Sequence, residues 1–278
     1  MKQALSGTLF FIVLSAAPGV YAAQQSIGRV GCPHCINDGS ETSNLLQQAD
    51  SLYAAFKTRE ALHALARVLE LEPNNFEALA KSARGHIDIG DLIPDSDPNA
   101  KEKKLKEFLI AEEFARKAVK IDPHNTWGHF YVAASLGKIA SQSPTSKQID
   151  LAGEIRAEVE KAIEADPQNG FAYHIYGVWH RRMAEVGGAS RMFASAFMWR
   201  SIPRGDLNTS VDYLKKAISI NPTVISHHLE LAKTYVDLGK YDLARTALKN
   251  SLGQPIQFSD DAKHKREAEK LLAEISDR

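Results

Sequence analysis

Four short phrases recur along the 278-residue chain: Glu72-Pro73-Asn74-Asn75, Asp122-Pro123-His124-Asn125, Asp166-Pro167-Gln168-Asn169 and Asn221-Pro222-Thr223-Val224. Each closes a run of helical periodicity, at Ala61 to Leu71, Ala111 to Ile121, Ile155 to Ala165 and Ser210 to Ile220. Within these runs Ala111, Ala115 and Ala118, and again Leu214, Ala217 and Ile218, share one helix face. Proline lacks an N–H and crowds the residue before it, so it stops each helix. Small residues on the shared face let the next helix approach closely. A recurring helix-stop of this kind is the mark of stacked like units. No segment alternates apolar and polar residues as a strand would, so the chain is expected to be all-α.

The clearest unit runs from Ile225 to Leu252. Leu231-Ala232 and Tyr235 lie on its first helix, Leu238-Gly239 turns the chain, and Tyr241, Ala244, Ala247 and Leu248 lie on its second. This is the pattern of a tetratricopeptide repeat, a helix–turn–helix of roughly 34 residues. The prolines are 50, 44 and 55 residues apart. The surplus is assigned to polar loops at Asp91 to Lys104 and Ser141 to Lys147, and to a large insertion at Val186 to Asn208. Asn44 to Phe56 supplies the first helix of the first repeat, with Leu45, Ala49 and Leu52 on one side. At the other end Ser259 is placed to cap a final helix, with Asp260 and Asp261 in its first turn and Leu271, Leu272 and Ile275 on one face. The expected architecture is a right-handed α-solenoid of about five helix hairpins over residues 43–278, closed by a C-terminal capping helix.

The N-terminus reads as an address. Lys2 precedes the apolar run Thr8 to Ala17, Pro18-Gly19 break it, and Val20-Tyr21-Ala22 present small residues in a cleavage-like pattern. That order is the layout of a secretory signal peptide, expected to be removed after Ala22. The run is too short to span a membrane, which takes about 20 apolar residues. The mature chain is therefore expected in an exported compartment, the periplasm first and the extracellular space second, without a transmembrane span. Residues 23–42 show no periodicity and read as a flexible arm.

In the C-terminal half, Phe171-Ala-Tyr-His-Ile-Tyr-Gly-Val-Trp-His180 is followed by an arginine-bearing extension and a loop around Pro203. Ser210-Val-Asp-Tyr-Leu-Lys-Lys-Ala-Ile-Ser-Ile-Asn-Pro222 comes next, and then the repeat with Tyr235, Leu238-Gly239 and Ala244-Arg245. This order resembles the regulator of microtubule dynamics family, a divergent branch of tetratricopeptide proteins, over roughly residues 44–275. The resemblance implies a link to microtubules and, through a mitochondria-tethering member, phospholipid binding by the repeat domain. The chain departs from the animal pattern in its export signal and in the single proline of Ile202-Pro203-Arg204.

Candidate chemistry is sparse. With 34 basic against 34 acidic side chains, the chain is no nucleic-acid binder working by bulk positive charge. Cys32-Pro33-His34-Cys35 has redox or half-zinc-site spacing. No second ligand pair completes a metal site, Ile36 replaces the histidine of a haem attachment motif, and a local disulfide between Cys32 and Cys35 is the expected state. Asp95-Ser-Asp97-Pro-Asn99 begins like a calcium loop. Ala100 stands where glycine belongs and Lys106 where a bidentate glutamate belongs, so a solvated acidic loop is expected. His174 and His180 fall on different helix faces, and the adjacent His227 and His228 diverge as well. No nucleophile elbow or phosphate-cradling glycine loop is present, and neither a catalytic residue, a metal site nor a cofactor is assigned.

The best functional candidate is the concave flank, which first helices line in such solenoids. Its inward positions are Trp127 and Phe130 in the third repeat, Phe171, His174, Val178, Arg181 and Arg182 in the fourth, and Leu229, Lys233, Val236 and Asp237 in the fifth. Aromatic and arginine anchors suit a protein or peptide partner. Charge reversal of Arg181 and Arg182 is accordingly expected to remove partner binding and leave the helices intact. The insertion offers a second candidate: Met192, Phe193, Phe197, Met198 and Trp199 form an apolar cluster among Arg191, Arg200 and Arg204, fit for a lid or for phospholipid. The expected function is a non-catalytic exported scaffold with a partner in its groove; the alternatives are a lipid-binding envelope protein and a microtubule-associated role.

Overall fold

A computed structural model describes residues 40–186 and 203–278. The stretch read as a signal peptide, residues 23–39 of the arm with Cys32 and Cys35, and the segment from Arg191 through Arg200 lie outside the described residues; the last two residues of the arm as read, Glu41 and Thr42, are already helical. Eleven helices run through those described: α1 (Glu41–Ala54), α2 (Thr58–Leu71), α3 (Phe76–Leu92), α4 (Ala100–Ile121), α5 (Thr126–Ser141), α6 (Thr145–Ala165), α7 (Gly170–Glu185), α8 (Leu207–Ile220), α9 (Ile225–Asp237), α10 (Tyr241–Gly253) and α11 (Asp261–Glu274). They form five consecutive hairpins and a final single helix, an α-solenoid. The first helices α3, α5, α7 and α9 also touch one another in succession along the inside of the stack.

The recurring phrase does two jobs at each joint. The residue before proline ends the outgoing helix, with Glu72, Asp122, Asp166 and Asn221 donating their N–H to Val68, Ala118, Ala162 and Ala217. Three residues later, asparagine starts the next helix. Asn75 accepts from the N–H of Ala78, Asn125 from Trp127, and Asn169 from Phe171 and Ala172. The fourth joint has Val224 in that place, with no side-chain cap, and the valine is buried in the core instead. Two histidines keep the same register six residues after the proline: His129 Nε2 faces the carbonyl of Pro123 at 2.9 Å and His228 Nε2 that of Pro222 at 2.8 Å.

The surplus residues are only partly loop. Helix α3 runs on to Leu92 and α4 begins at Ala100, so much of the expected Asp91–Lys104 loop is helical, and α4 reaches 22 residues and α6 21. Propensity explains this, since Lys101 to Lys106 is a run of good helix formers behind Asn99. Ser259 does not cap the final helix. No side chain caps its N-terminus, and Asp261 instead reaches back to the preceding segment, its carboxylate accepting from the N–H of Gln257 at 2.7 Å and of Phe258 at 2.8 Å.

Within the fifth repeat Gly239 sits at φ 69°, the left-handed position after the first helix, and Lys240 N–H closes the turn on Tyr235 O at 2.8 Å. The first repeat makes the same turn, with Lys57 N–H on Leu52 O at 2.8 Å, but places Phe56 at φ 58°. A side chain there is strained by about 1–2 kcal/mol.

Candidate functional site: the inner flank

Helices α5, α7 and α9 do bring the expected residues together. Phe171 is central, its ring centroid 6.2 Å from that of Trp127, 6.1 Å from Phe130 and 5.4 Å from His227. What differs from expectation is access. Trp127, Phe130, Phe171, His174, Val178, Leu229 and Arg181 are all buried, so they present no free concave surface. The physical reason is partly an occupant from the chain itself. Between α10 and α11 the chain runs without helix from Gln254 to Asp260, and it lays Phe258, 3% exposed, edge-on against Phe171 at 6.1 Å. Arg182, Lys233 and Val236 are half-buried around this filling, and Asp237 is exposed at the rim.

The charges here serve the fold. Arg181, with a side chain only 5% exposed, donates to Glu230 of α9 at 2.5 Å and reaches Glu185 at 3.2 Å and Asp237 at 3.5 Å. Lys233 holds the other oxygen of Glu230 at 2.7 Å and continues to Glu267 of α11 at 2.8 Å. Burial pushes the Glu230 carboxyl up, but Lys233, Arg181 and Arg182 outweigh it and hold the group well below the usual carboxylate range. Arg181 is therefore a tie between repeats four and five, and its reversal would place a carboxylate against Glu230. The expectation that Arg181→Glu with Arg182→Glu spares the helices is corrected on that ground.

One turn deeper, His174 and His227 face each other with Nδ1 atoms 3.0 Å apart. One ring donates and the other accepts, so the two are neutral with opposite tautomers. Burial drives His174 down to about 3 and His227 well below its ordinary value. Neither Nε2 has a hydrogen-bond partner among the described residues. His180 turns away, as its spacing requires, into tilted ring contacts with Tyr176 and Tyr213. Towards the N-terminal half, Lys138 of α5 grips both oxygens of Asp91 at 2.7 and 2.6 Å. There Arg84 lies 4.4 Å over the Tyr53 ring and 3.5 Å from Asp88.

The acidic turn after α3 behaves as expected of a solvated loop. Lys104 takes Asp95, Lys103 takes Asp97 at 2.5 Å, and Asn99 N–H donates to Asp97 at 2.8 Å. Arg204, the described member of the lid candidate, is exposed.

Sequence reasoning missed the C-terminal segment. Two signals pointed to it: Phe258 is the one aromatic between Tyr241 and the C-terminus, and Asp260, Asp261 and His264 have i, i+1, i+4 spacing on a helix. All three side chains are buried, and a ligand atom from each lies within 4.8 Å of the others. Open clefts lie elsewhere: one of about 610 Å³ beside Phe56, Leu92 and Ile93, and one of about 620 Å³ between α2 and α4, lined by Leu69, Phe114 and Ile121 with Lys117 and Lys120.

Comparison with known proteins supports this architecture. The chain is 27% identical over 261 residues to "Regulator of microtubule dynamics protein 1" of Bos taurus, covering 93% of this chain and 80% of that one. It is likewise 27% identical over 234 residues to the Mus musculus protein of that name, covering 84% and 74%. Among solved structures, a thermophilic TPR protein of Thermus thermophilus superposes with a TM-score of 0.61 at 17% identity, covering 82% of this chain and 99% of that one. PilW, a type IV pilus biogenesis factor, superposes with a TM-score of 0.51 at 18% identity, covering 84% and 92%. At such identities these two speak for the fold alone, a tetratricopeptide-type solenoid. A family model described as "Regulator of microtubule dynamics protein 1-3" matches residues 45–276, and with repeats, joints and relatives in agreement the chain belongs to that family.

Proposed function

We propose that this chain is an exported, non-catalytic interaction scaffold whose inner flank takes an extended peptide of a protein partner in place of its own residues 254–260. One observation carries the reading. The aromatic floor built by Phe130 and Phe171 is met by a non-helical stretch of polypeptide anchored through a single phenylalanine, Phe258. Aromatic anchors in desolvated pockets are how such surfaces gain binding energy.

The test uses the chain's own segment as probe. Phe258→Ala should cost about 3–5 kcal/mol and leave the pocket unfilled. A fluorescent peptide spanning residues 252–262 should then bind the variant measurably in anisotropy, while wild-type protein and a peptide with the phenylalanine replaced show nothing. A variant that keeps its helical circular dichroism yet ignores the peptide would refute the groove.

Export rests on the Met1–Ala22 pattern. Intact mass of the protein from a periplasmic fraction should show a chain beginning after Ala22. A full-length cytosolic product would favour instead the microtubule role that the relatives' names carry. The phospholipid alternative rests on Met192 to Trp199, and native mass spectrometry of purified protein decides it by a retained lipid.

A further inference from the structure

The geometry points to a divalent transition-metal site at the start of α11, formed by Asp260, Asp261 and His264. Two carboxylate oxygens and an imidazole nitrogen suit zinc and its first-row neighbours better than magnesium or calcium, which prefer oxygen alone.

The three side chains are buried, and their ligand atoms already converge within 4.8 Å. Tetrahedral bonds of about 2.0–2.2 Å would draw those atoms together by a small rotamer adjustment. Asp261 is pre-oriented for the task. One of its oxygens accepts the N–H groups of Gln257 and Phe258, which fixes the carboxylate and turns the other oxygen inward. Among the described residues that second oxygen has no hydrogen-bond partner, and neither has Nδ1 of His264, 3.9 Å away, while Nε2 of the same ring lies 3.6 Å from Asp260. The 3.9 Å separation is too long for a hydrogen bond and short enough for two ligands of one cation.

An independent element adds to the case. Asp88 of α3, also buried, has an unpartnered Oδ1 and lies within electrostatic reach of Asp260. Buried polar atoms without partners are uncommon in folded proteins and call for an explanation. A cation among these groups would supply one. Of the three, Asp260 lines an open cleft of about 390 Å³, with Asp91 to Asp95 on one side and Ser259, Lys263 and Arg266 on the other.

Isothermal titration of chelator-treated full-length protein with Zn²⁺ should show one site at the start of α11, and Co²⁺ should develop visible d–d absorption there. Asp261→Asn keeps an oxygen for the two backbone N–H groups but loses the ligand charge, and should weaken Zn²⁺ at least tenfold. His264→Gln serves as the second variant and should abolish the Co²⁺ spectrum. The Cys32→Ser/Cys35→Ser chain controls for the N-terminal thiols and should retain the site. Absence of Zn²⁺ binding, unchanged affinity in both α11 variants, or loss confined to the cysteine variant would each overturn the assignment.

Discussion

The joints between repeats and the flank they enclose are held together in opposite ways. Each joint is local: a proline, a carbonyl five residues before it and, in three of four cases, an asparagine two residues after it satisfy the helix ends within one short stretch. The flank is assembled from ties that cross large distances in sequence, such as Arg181 to Glu230, Lys138 to Asp91, His174 to His227 and Phe258 to Phe171. Local ties repeat because every hairpin needs them. Distant ties are individual, and they decide what is open and what is closed.

The sharpest way to break this contrast is Arg181→Ala. Leaving Glu230 buried without that partner should cost about 3–5 kcal/mol, read as a loss in urea unfolding free energy. A loss below about 1 kcal/mol would mean that the pair behaves as a surface contact.

Acid comes next. An unfolded histidine takes up a proton near pH 6.5, whereas folded His174 resists down to about 3 and His227 is shifted the same way. The unfolded state therefore binds more protons as pH falls, and stability should drop below pH 6.5 by about 1.4 kcal/mol per pH unit for each histidine. His174→Asn with His227→Asn should flatten that slope between pH 6 and 4. An unchanged slope would show that the pair is not what senses acid.

The joints should respond more mildly and less uniformly. Asn169→Ala removes a cap and a bond to Thr126 and should cost about 1–2 kcal/mol. Val224→Asn restores the recurring pattern at the fourth joint yet should also destabilise, because that valine is buried; a gain in melting temperature would show capping to outweigh packing there. Smallest, and opposite in sign, Phe56→Gly should stabilise by about 1 kcal/mol, read in the same urea titrations.

The same contrast explains what the sequence makes legible. Repeat number, helix order and the capping helix follow from Pro73, Pro123, Pro167 and Pro222 and from the small residues before them, since these encode contacts within a hairpin. The divergence of His174 from His180 follows from helical spacing alone. Burial of Phe171 and Arg181 does not, because it depends on partners far along the chain that carry no repeat signature, Phe258 for the one and Glu230 for the other. The strain at Phe56 is equally silent, since only its homologous turn at Gly239 reveals what the backbone requires. Asp91 to Lys104 misled for another reason: proline and aspartate suggest a loop, while the lysines and glutamate around them favour helix.

A linear stack can shed a terminal unit and lose only one interface. Here the stretch leading into α11 rests on the fourth repeat, and the first turn of α11 shares a cleft with the end of α3. The far end of the array is thereby wedged into its own middle, more like a clasp than a tail. Peeling from the C-terminus would strip the centre of its filling, so the array should melt as one body instead of fraying repeat by repeat.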